Sequence, residues 1–271
     1  MTLIKNKKTA EIVGLCFGDG SLTRRHSGKD KGKLRFQLRG SITEDKEHYQ
    51  DYIIPLFYEA FGINVKPVIC NGKDKSYGIS TENKRICESL HELGVPIGIK
   101  GELSIPRWIT SDKEFAKCFI RGLVDTDGSV FCGKDYNYPE KGHIKLRMSI
   151  TSVSRKLVYE VSKILTDIAI KNLVIKQYHP RQQNCKDFSK LQIDGRNVVQ
   201  YFEMIGSKNQ KHISKFHVWK KFGFCPPYTK LEQRKNMLQA SQRRYNHTHA
   251  GVAEPGQMRK FVFHQESEVL A

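Results

Sequence analysis

The sequence predicts an α+β fold built from two copies of one unit, each a sheet packed on helices at one side. Three observations predict it. The run Ile12-Val13-Gly14-Leu15-Cys16-Phe17-Gly18-Asp19-Gly20-Ser21 returns 108 positions later as Ile120-Arg121-Gly122-Leu123-Val124-Asp125-Thr126-Asp127-Gly128-Ser129. The same shift carries Ser41-Ile42-Thr43 onto Ser149-Ile150-Thr151. Residues 34–39 and 144–149 alternate strictly between apolar and polar, the period of a half-buried strand.

Each copy opens with an almost wholly apolar helix that runs into Asp-Gly, and Ser111 with Glu114 predicts a capping box at the start of the second. The alternating strands follow, one face core and the other cationic. A longer amphipathic helix is expected at about 44–61 and 154–170. A hairpin follows at 65–81 and 173–193, and then a short helix ending at Gly94 or Gly206. The chain therefore divides at 1–104, 105–227 and 228–271. The last part is rich in Gln, Arg, His and Asn without a sustained period, so a short helix at best and then poor order are expected.

Of the 271 residues, 46 are Lys or Arg and 28 are Asp or Glu, a net charge of +18, and 38% are hydrophobic. So large an excess costs self-repulsion in a compact chain, and a polyanionic partner is its usual reason. A membrane is not expected, for there is no long apolar run and no basic amphipathic helix. The N-terminus shows no signal-peptide pattern, and an intracellular protein is expected. Seven cysteines, scattered and never in Cys-x-x-Cys, read as reduced thiols rather than a disulfide framework or zinc ribbon. His212 and His217 lack the upstream Cys pair of a zinc finger. No phosphate-cradling Gly-x-x-x-x-Gly-Lys-Ser/Thr loop occurs.

The chemistry lies at the ends of the two apolar helices. Gly14 and Gly18 on one, and Gly122 and Thr126 on the other, are small residues one turn apart, a spacing that lets two helix backbones approach closely. Such packing brings Asp19 and Asp127 side by side. An isolated Asp-Gly is ordinarily a turn. Two carboxylates at the negative ends of helix dipoles repel each other, and that arrangement suits a divalent cation. Hard oxygen ligands with open positions fit Mg²⁺, with Mn²⁺ as a substitute. Gly18 and Thr126, just before the acids, complete the candidate metal set.

These two runs resemble the LAGLIDADG motif of homing endonucleases, in the form where one chain carries both copies. The second match is close. In the first, Phe17 stands where the family often has an acid and Gly18 where it has Ala. The resemblance covers about residues 8–222 and implies two pseudo-symmetric αββαββα repeats forming a DNA-binding saddle of two antiparallel sheets. It also implies a monomer that cuts both strands of a long asymmetric target with a divalent metal, using Asp19 and Asp127 as ligands. Asp125 corresponds to a mainly structural position. By the shift of 108, Gln37 and Arg39 align with Lys145 and Arg147, where the family places residues that polarise water or phosphate. Plain contacts to DNA are the equal alternative for these four. A family lysine after each short helix maps to Lys100 in the first half and to Lys211 or Lys208 in the second.

Contacts to double-stranded DNA are expected from Arg24, Arg25, Lys33, Arg35, Gln37, Arg39, Lys134, Lys145, Arg147, Lys176 and Arg181. A strand of about 10 residues spans about 33 Å, so two sheets side by side follow a site of about 20 base pairs. Two other readings keep the same fold: a splicing maturase that binds its own intron RNA, and a regulator that binds DNA without cutting.

Overall fold

The computed structural model describes residues 4–27, 29–70, 75–134, 142–178 and 187–247. The first half runs α1 (Lys7–Phe17), β1 (Gly20–Arg24), β2 (Leu34–Ser41) and α2 (Lys46–His48). A π-helical turn (Tyr49–Ile53) then leads into α3 (Ile54–Phe61), β3 (Pro67–Cys70), β4 (Ser76–Thr81) and α4 (Lys84–Glu92). After a single turn, α5 (Arg107–Thr110), the order repeats as α6 (Lys113–Asp127), β5 (Gly128–Gly133), β6 (Lys145–Ser152), α7 (Arg155–Asp167), β7 (Leu173–Tyr178), β8 (Phe188–Asp194) and α8 (Arg196–Met204). Two further helices follow, α9 (Gln210–Phe222) and α10 (Leu231–His247).

The sheets are both antiparallel and share one topology, β1-β2-β4-β3 and β5-β6-β8-β7. Alternation has the expected result. Phe36 and Leu38 on β2 and Leu146, Met148 and Ile150 on β6 are buried, while Arg35, Gln37, Arg39 and Arg147 lie on the other face. One core runs through both halves, from Leu15 and Phe57 to Met148 and Val161.

Local chemistry sets the helix ends. Asn6 accepts from the Thr9 amide at 3.0 Å while the Asn6 amide donates back to Thr9 Oγ1 at 2.9 Å, a reciprocal cap on α1. The capping box expected from Ser111 and Glu114 does not form. Asp112 caps α6 instead, its Oδ1 accepting from the amides of Glu114 (2.7 Å) and Phe115 (3.0 Å). Ser111 Oγ instead donates to the Trp108 carbonyl, closing α5. The single helix expected at 44–61 is interrupted because Pro55 lacks an N–H and cannot complete the α ladder. The Ile54 amide donates to Tyr49 O, five residues back. α7 stops at Asp167, where Ala169 turns into the left-handed region at φ +63°.

Residues 231–247 form a helix of 17 residues, longer than the short one expected, and 248–271 lie outside the described residues. Arg234 on α10 is fully buried. Its guanidinium pairs with Glu44 Oε2 at 2.5 Å and donates to Ser214 Oγ at 2.9 Å, and the Leu231 amide donates to Glu44 Oε1 at 2.9 Å. α10 is thus fastened to the first half. Residues 102–105, on both sides of the division expected after 104, rest on the second half: the amides of Leu103 and Ile105 donate to Ser154 and Glu160. Among the described residues no helix is long and apolar enough to cross a membrane.

Candidate active site

α1 and α6 lie against each other through their small residues. A Cβ on Gly14 would stand 2.1 Å from Phe119 O, one on Gly122 would stand 2.3 Å from Glu11 O, and one on Gly18 would stand 2.0 Å from Thr126 Oγ1. Thr126 shares this contact because its Oγ1 turns inward to its own helix, 3.1 Å from both Gly122 O and Leu123 O. Phe17, the non-acidic member of the first run, is buried edge-on against Phe119 with centroids 5.3 Å apart. Further along, buried Glu11 is bridged by Arg121 from the opposite helix and accepts from Tyr52 Oη at 2.8 Å.

The helices end together, and the carboxyls of Asp19 and Asp127 are within hydrogen-bonding contact. Loss of hydration pushes both upward. Asp127 reaches about 6, raised further by the charge of Asp19 and restrained by Lys100 and Lys211. Asp19, open to solvent on its outer side, is restrained chiefly by Lys211. One proton is therefore shared more readily than by two free carboxylates. Asp125, fully buried and raised to about 7 by loss of hydration, is used elsewhere: it accepts from Ser207 Oγ and the Lys208 amide and so fixes the loop at 207–209.

Both halves bring a lysine to the acids. Lys100 Nζ donates to Phe17 O (3.1 Å) and to Gly18 O, the exposed carbonyls at the end of α1. Of the two candidates in the second half, Lys211 is the one whose charge reaches both acids. Lys208 turns aside, its Nζ 5.6 Å over the Tyr52 ring. Lys211 is held 3.1 Å from Asp45 Oδ1, which also accepts from Asn209 Nδ2 at 2.7 Å. Asp45 is a residue the sequence did not single out; it acts on partners 164 and 166 positions away, and no local pattern marks it.

The strand residues separate by register. Gln37 pairs with Ser21, two residues beyond Asp19, and its amide oxygen accepts from Arg35 Nη2 at 2.9 Å and from Arg39. Its expected counterpart Lys145 is not in the equivalent place. Gly20 pairs with Leu38, but Gly128 pairs with Ile150, so the offset between halves grows from 108 to 112 within the hairpin. Lys145 lies opposite Gly133, five residues along β5 from the helix end and so roughly 17 Å away. Arg147 sits opposite Phe131 and 3.4 Å from Asp194. The position equivalent to Gln37 is Ser149, flanked by Ser129 and Gln192. The match of Ser41-Ile42-Thr43 with residues 149–151 is likewise not a structural equivalence, because Ser41 ends β2 while Ser149 pairs with Ser129 in mid-strand.

The remaining cations spread over the same sheet faces and the hairpin tips. Arg25 and Arg35 share Glu82, Lys33 is 2.6 Å from Asp30, Arg24 Nη1 donates to Gly32 O at 3.2 Å, and Lys134 and Lys145 are exposed. Arg181 and the side chain of Lys176 lie outside the described residues. Lys190, which the sequence did not single out, joins this face, 5.9 Å over the Phe131 ring; the alternation of Lys190, Gln192 and Asp194 on β8 is the signal that could have marked it.

Residues 114–206, the second repeat, match the family model of a LAGLIDADG-like domain. The chain has the two-repeat LAGLIDADG fold. Its folding pattern is shared with variants of the homing endonuclease I-DmoI (17% identity, 74% of this chain and 95% of theirs, TM-score 0.52). It is shared too with I-DmoI in complex with DNA and Ca (18%, 73% and 88%, TM-score 0.52) and with the LAGLIDADG homing endonuclease I-LtrWI bound to target DNA (11%, 80% and 89%, TM-score 0.50). No curated protein matches the chain. In LAGLIDADG terms, the two motif helices are α1 and α6, and the last acid of each motif is Asp19 and Asp127. Among the described residues no group of three or more His, Cys, Asp or Glu gathers to hold a metal, so a site here rests on this carboxylate pair and neighbouring backbone oxygens.

Proposed function

We propose that the chain is a monomeric, site-specific endonuclease of the intron-homing type that hydrolyses both strands of a long, asymmetric DNA target. The observation that carries this reading is the contact of Asp19 with Asp127 at the ends of two glycine-packed helices, with a cationic strand face on each side. A protein that only bound DNA would have no need to hold two carboxylates together at a cost in repulsion and lost hydration.

The donor set fits Mg²⁺ or Mn²⁺: two carboxylates with solvent on one side, beside carbonyl oxygens that already accept a cation, the Lys100 ammonium on Gly18 O. Asp19, Asp127 and the backbone oxygens of Gly18 and Thr126 would hold it. When bound, such an ion activates water and stabilises the charge that develops on the phosphate oxygens during in-line displacement. The chain's own residues do the rest. Arg35, Arg39, Lys145, Arg147 and Lys190 take the backbone on either side and fix the duplex across the acids. Lys100 and Lys211, partly stripped of water, offer positive charge to the phosphate that is cut. Gln37 lies two residues beyond Asp19 on the neighbouring strand, where its amide can orient water. Each acid lies towards one half, so each half serves one strand.

The decisive experiment incubates the protein with DNA of its uninterrupted host locus, with Mg²⁺ or with EDTA. Specific double-strand cutting that requires Mg²⁺ and disappears in Asp19→Asn and Asp127→Asn is expected. Cutting that survives either substitution would overturn the mechanism. Specific binding to an intron RNA without DNA cutting would move the assignment to a maturase.

A further inference from the structure

The loop that carries Lys100 also presents Ile99, a large apolar side chain that is 90% exposed. It is not exposed through slackness. On one side Ile97 bridges in parallel to Leu22 at the outer edge of β1, and the Gly98 amide donates to Leu22 O at 2.7 Å. On the other, Lys100 is fastened to the end of α1. Gly98, at φ +92°, turns the chain outward between the two anchors, a conformation that suits glycine. An isoleucine gripped in this way cannot fold back onto the core. Leaving it in water forgoes much of what its burial would contribute.

The surroundings indicate what covers it. Ile99 rims a groove of about 600 Å³ lined also by Ser21, Thr23, Arg24, His26 and Lys100. The floor is apolar, with Ile97 beside Ile99, and the polar members of the rim are basic or hydroxylic; among the described residues it carries no carboxylate. An occupant must offer negative charge around an apolar, flat element, and a base step between the phosphates of a duplex does so. In the second half, residues 207–211 read Ser-Lys-Asn-Gln-Lys and hold no apolar side chain, so the device belongs to one half alone.

We propose that Ile99 is an apolar wedge. It presses on a base step of the target beside the Asp19–Asp127 pair, on the first repeat's side, while Arg24 and His26 hold the adjoining phosphates. The proposal rests on the endonuclease reading and deepens it. Part of the sequence selectivity then comes from deformability, because pyrimidine–purine steps unstack more easily than others.

The test starts from a target isolated by cleavage selection on a randomised duplex pool. Duplexes of that target carry the fluorescent base 2-aminopurine at successive positions around the cut. Its emission rises when it is unstacked, and binding is followed separately by anisotropy in Ca²⁺. With the wild type, one position is expected to brighten several-fold on binding. With Ile99→Ala, which leaves the thermal midpoint unchanged, the same position stays near the level of the free duplex, and cutting of targets with a stiff step there falls more than cutting of those with a flexible one. Binding and cutting by the wild type without a responsive position would overturn the wedge alone, as would an equal rise with Ile99→Ala. A chain that binds no duplex would overturn the endonuclease reading and the wedge with it.

Discussion

Replacing Gly14 by Ala tests the helix contact on which the candidate site depends. In an exposed helix interior this substitution would stabilise by about 1 kcal/mol, since Ala loses less backbone freedom than Gly. Here the new methyl would sit 2.1 Å from Phe119 O and 3.0 Å from Leu123 N. Both atoms are backbone within α6, so no side chain can swing aside. To reach ordinary contact the helices must separate by about 1.3 Å over a seam that also holds Gly122 and Thr126. Overpacking of this kind costs about 1–3 kcal/mol, and against rigid backbone the upper part of that range applies, leaving a net loss of about 2 kcal/mol. Urea denaturation should show a lowered midpoint with an unchanged slope. Gly101→Ala, at a position with open space and no positive φ, serves as the control and should change stability by less than about 0.5 kcal/mol. The double variant Gly14→Ala/Gly122→Ala should lose less than the sum of the two, because the first methyl has already parted the helices. A Gly14→Ala protein as stable as the wild type would refute the argument.

Gln37→Ala and Lys145→Ala should separate turnover from binding. The first is expected to lower single-turnover cleavage by about tenfold or more with little change in affinity. The second, roughly 17 Å from the acids by strand register, should weaken DNA binding and flatten its salt dependence without altering the rate at saturation. Arg234→Met should cost about 3 kcal/mol in chemical denaturation, since it leaves Glu44 without its buried partner. Two opposing slopes are expected in the stability of the metal-free protein between about pH 4 and 6.5. His48, pushed down to about 4 by burial, takes up its proton first in the unfolded chain, so up to about 3 kcal/mol is lost as pH falls from about 6.5, and His48→Phe should remove that loss. Asp127, raised to about 6, keeps its proton longer in the native chain, so stability falls as pH rises from about 4 to about 6. Asp127→Asn should therefore raise the thermal midpoint at neutral pH. A neutral-pH midpoint unchanged by Asp127→Asn would contradict the crowding of charge at the site.

Much of the site was legible because its signals are local and repeated. The apolar helices, their small residues and the Asp-Gly ends stand in one register 108 apart, and backbone approach followed from side-chain size alone. The strands were legible through alternation. What failed was the extension of that register past the hairpin, where the second copy holds four more residues and carries Lys145 away from Asp127. A constant offset in sequence says nothing about turn length, and the polar faces of both strands look alike at either register. Asp45 and Arg234 were illegible for a different reason. Their partners lie 164 and 190 residues away, and a single acid or arginine in a polar stretch has no periodicity to betray it. α10 was legible only as a short helix, because its inward side sets a buried arginine among Leu231, Met237 and Leu238 in place of an unbroken apolar stripe.

The strap formed by Arg234 on Glu44 also bears on how the chain is made. The two residues are 190 positions apart, so at about 5–20 residues per second they are translated on the order of ten to forty seconds apart. For most of that interval Glu44 and Asp45 are without the side chains that receive them, which lie at 209, 211 and 234. Asp127 is made a little before the middle of that interval, and Lys211 only near its end. A chain cut before α10 would keep both motif helices but lack this fastening. The acid pair and its two lysines can therefore come together only after residue 211 has been made, and the fastening by Arg234 follows later still.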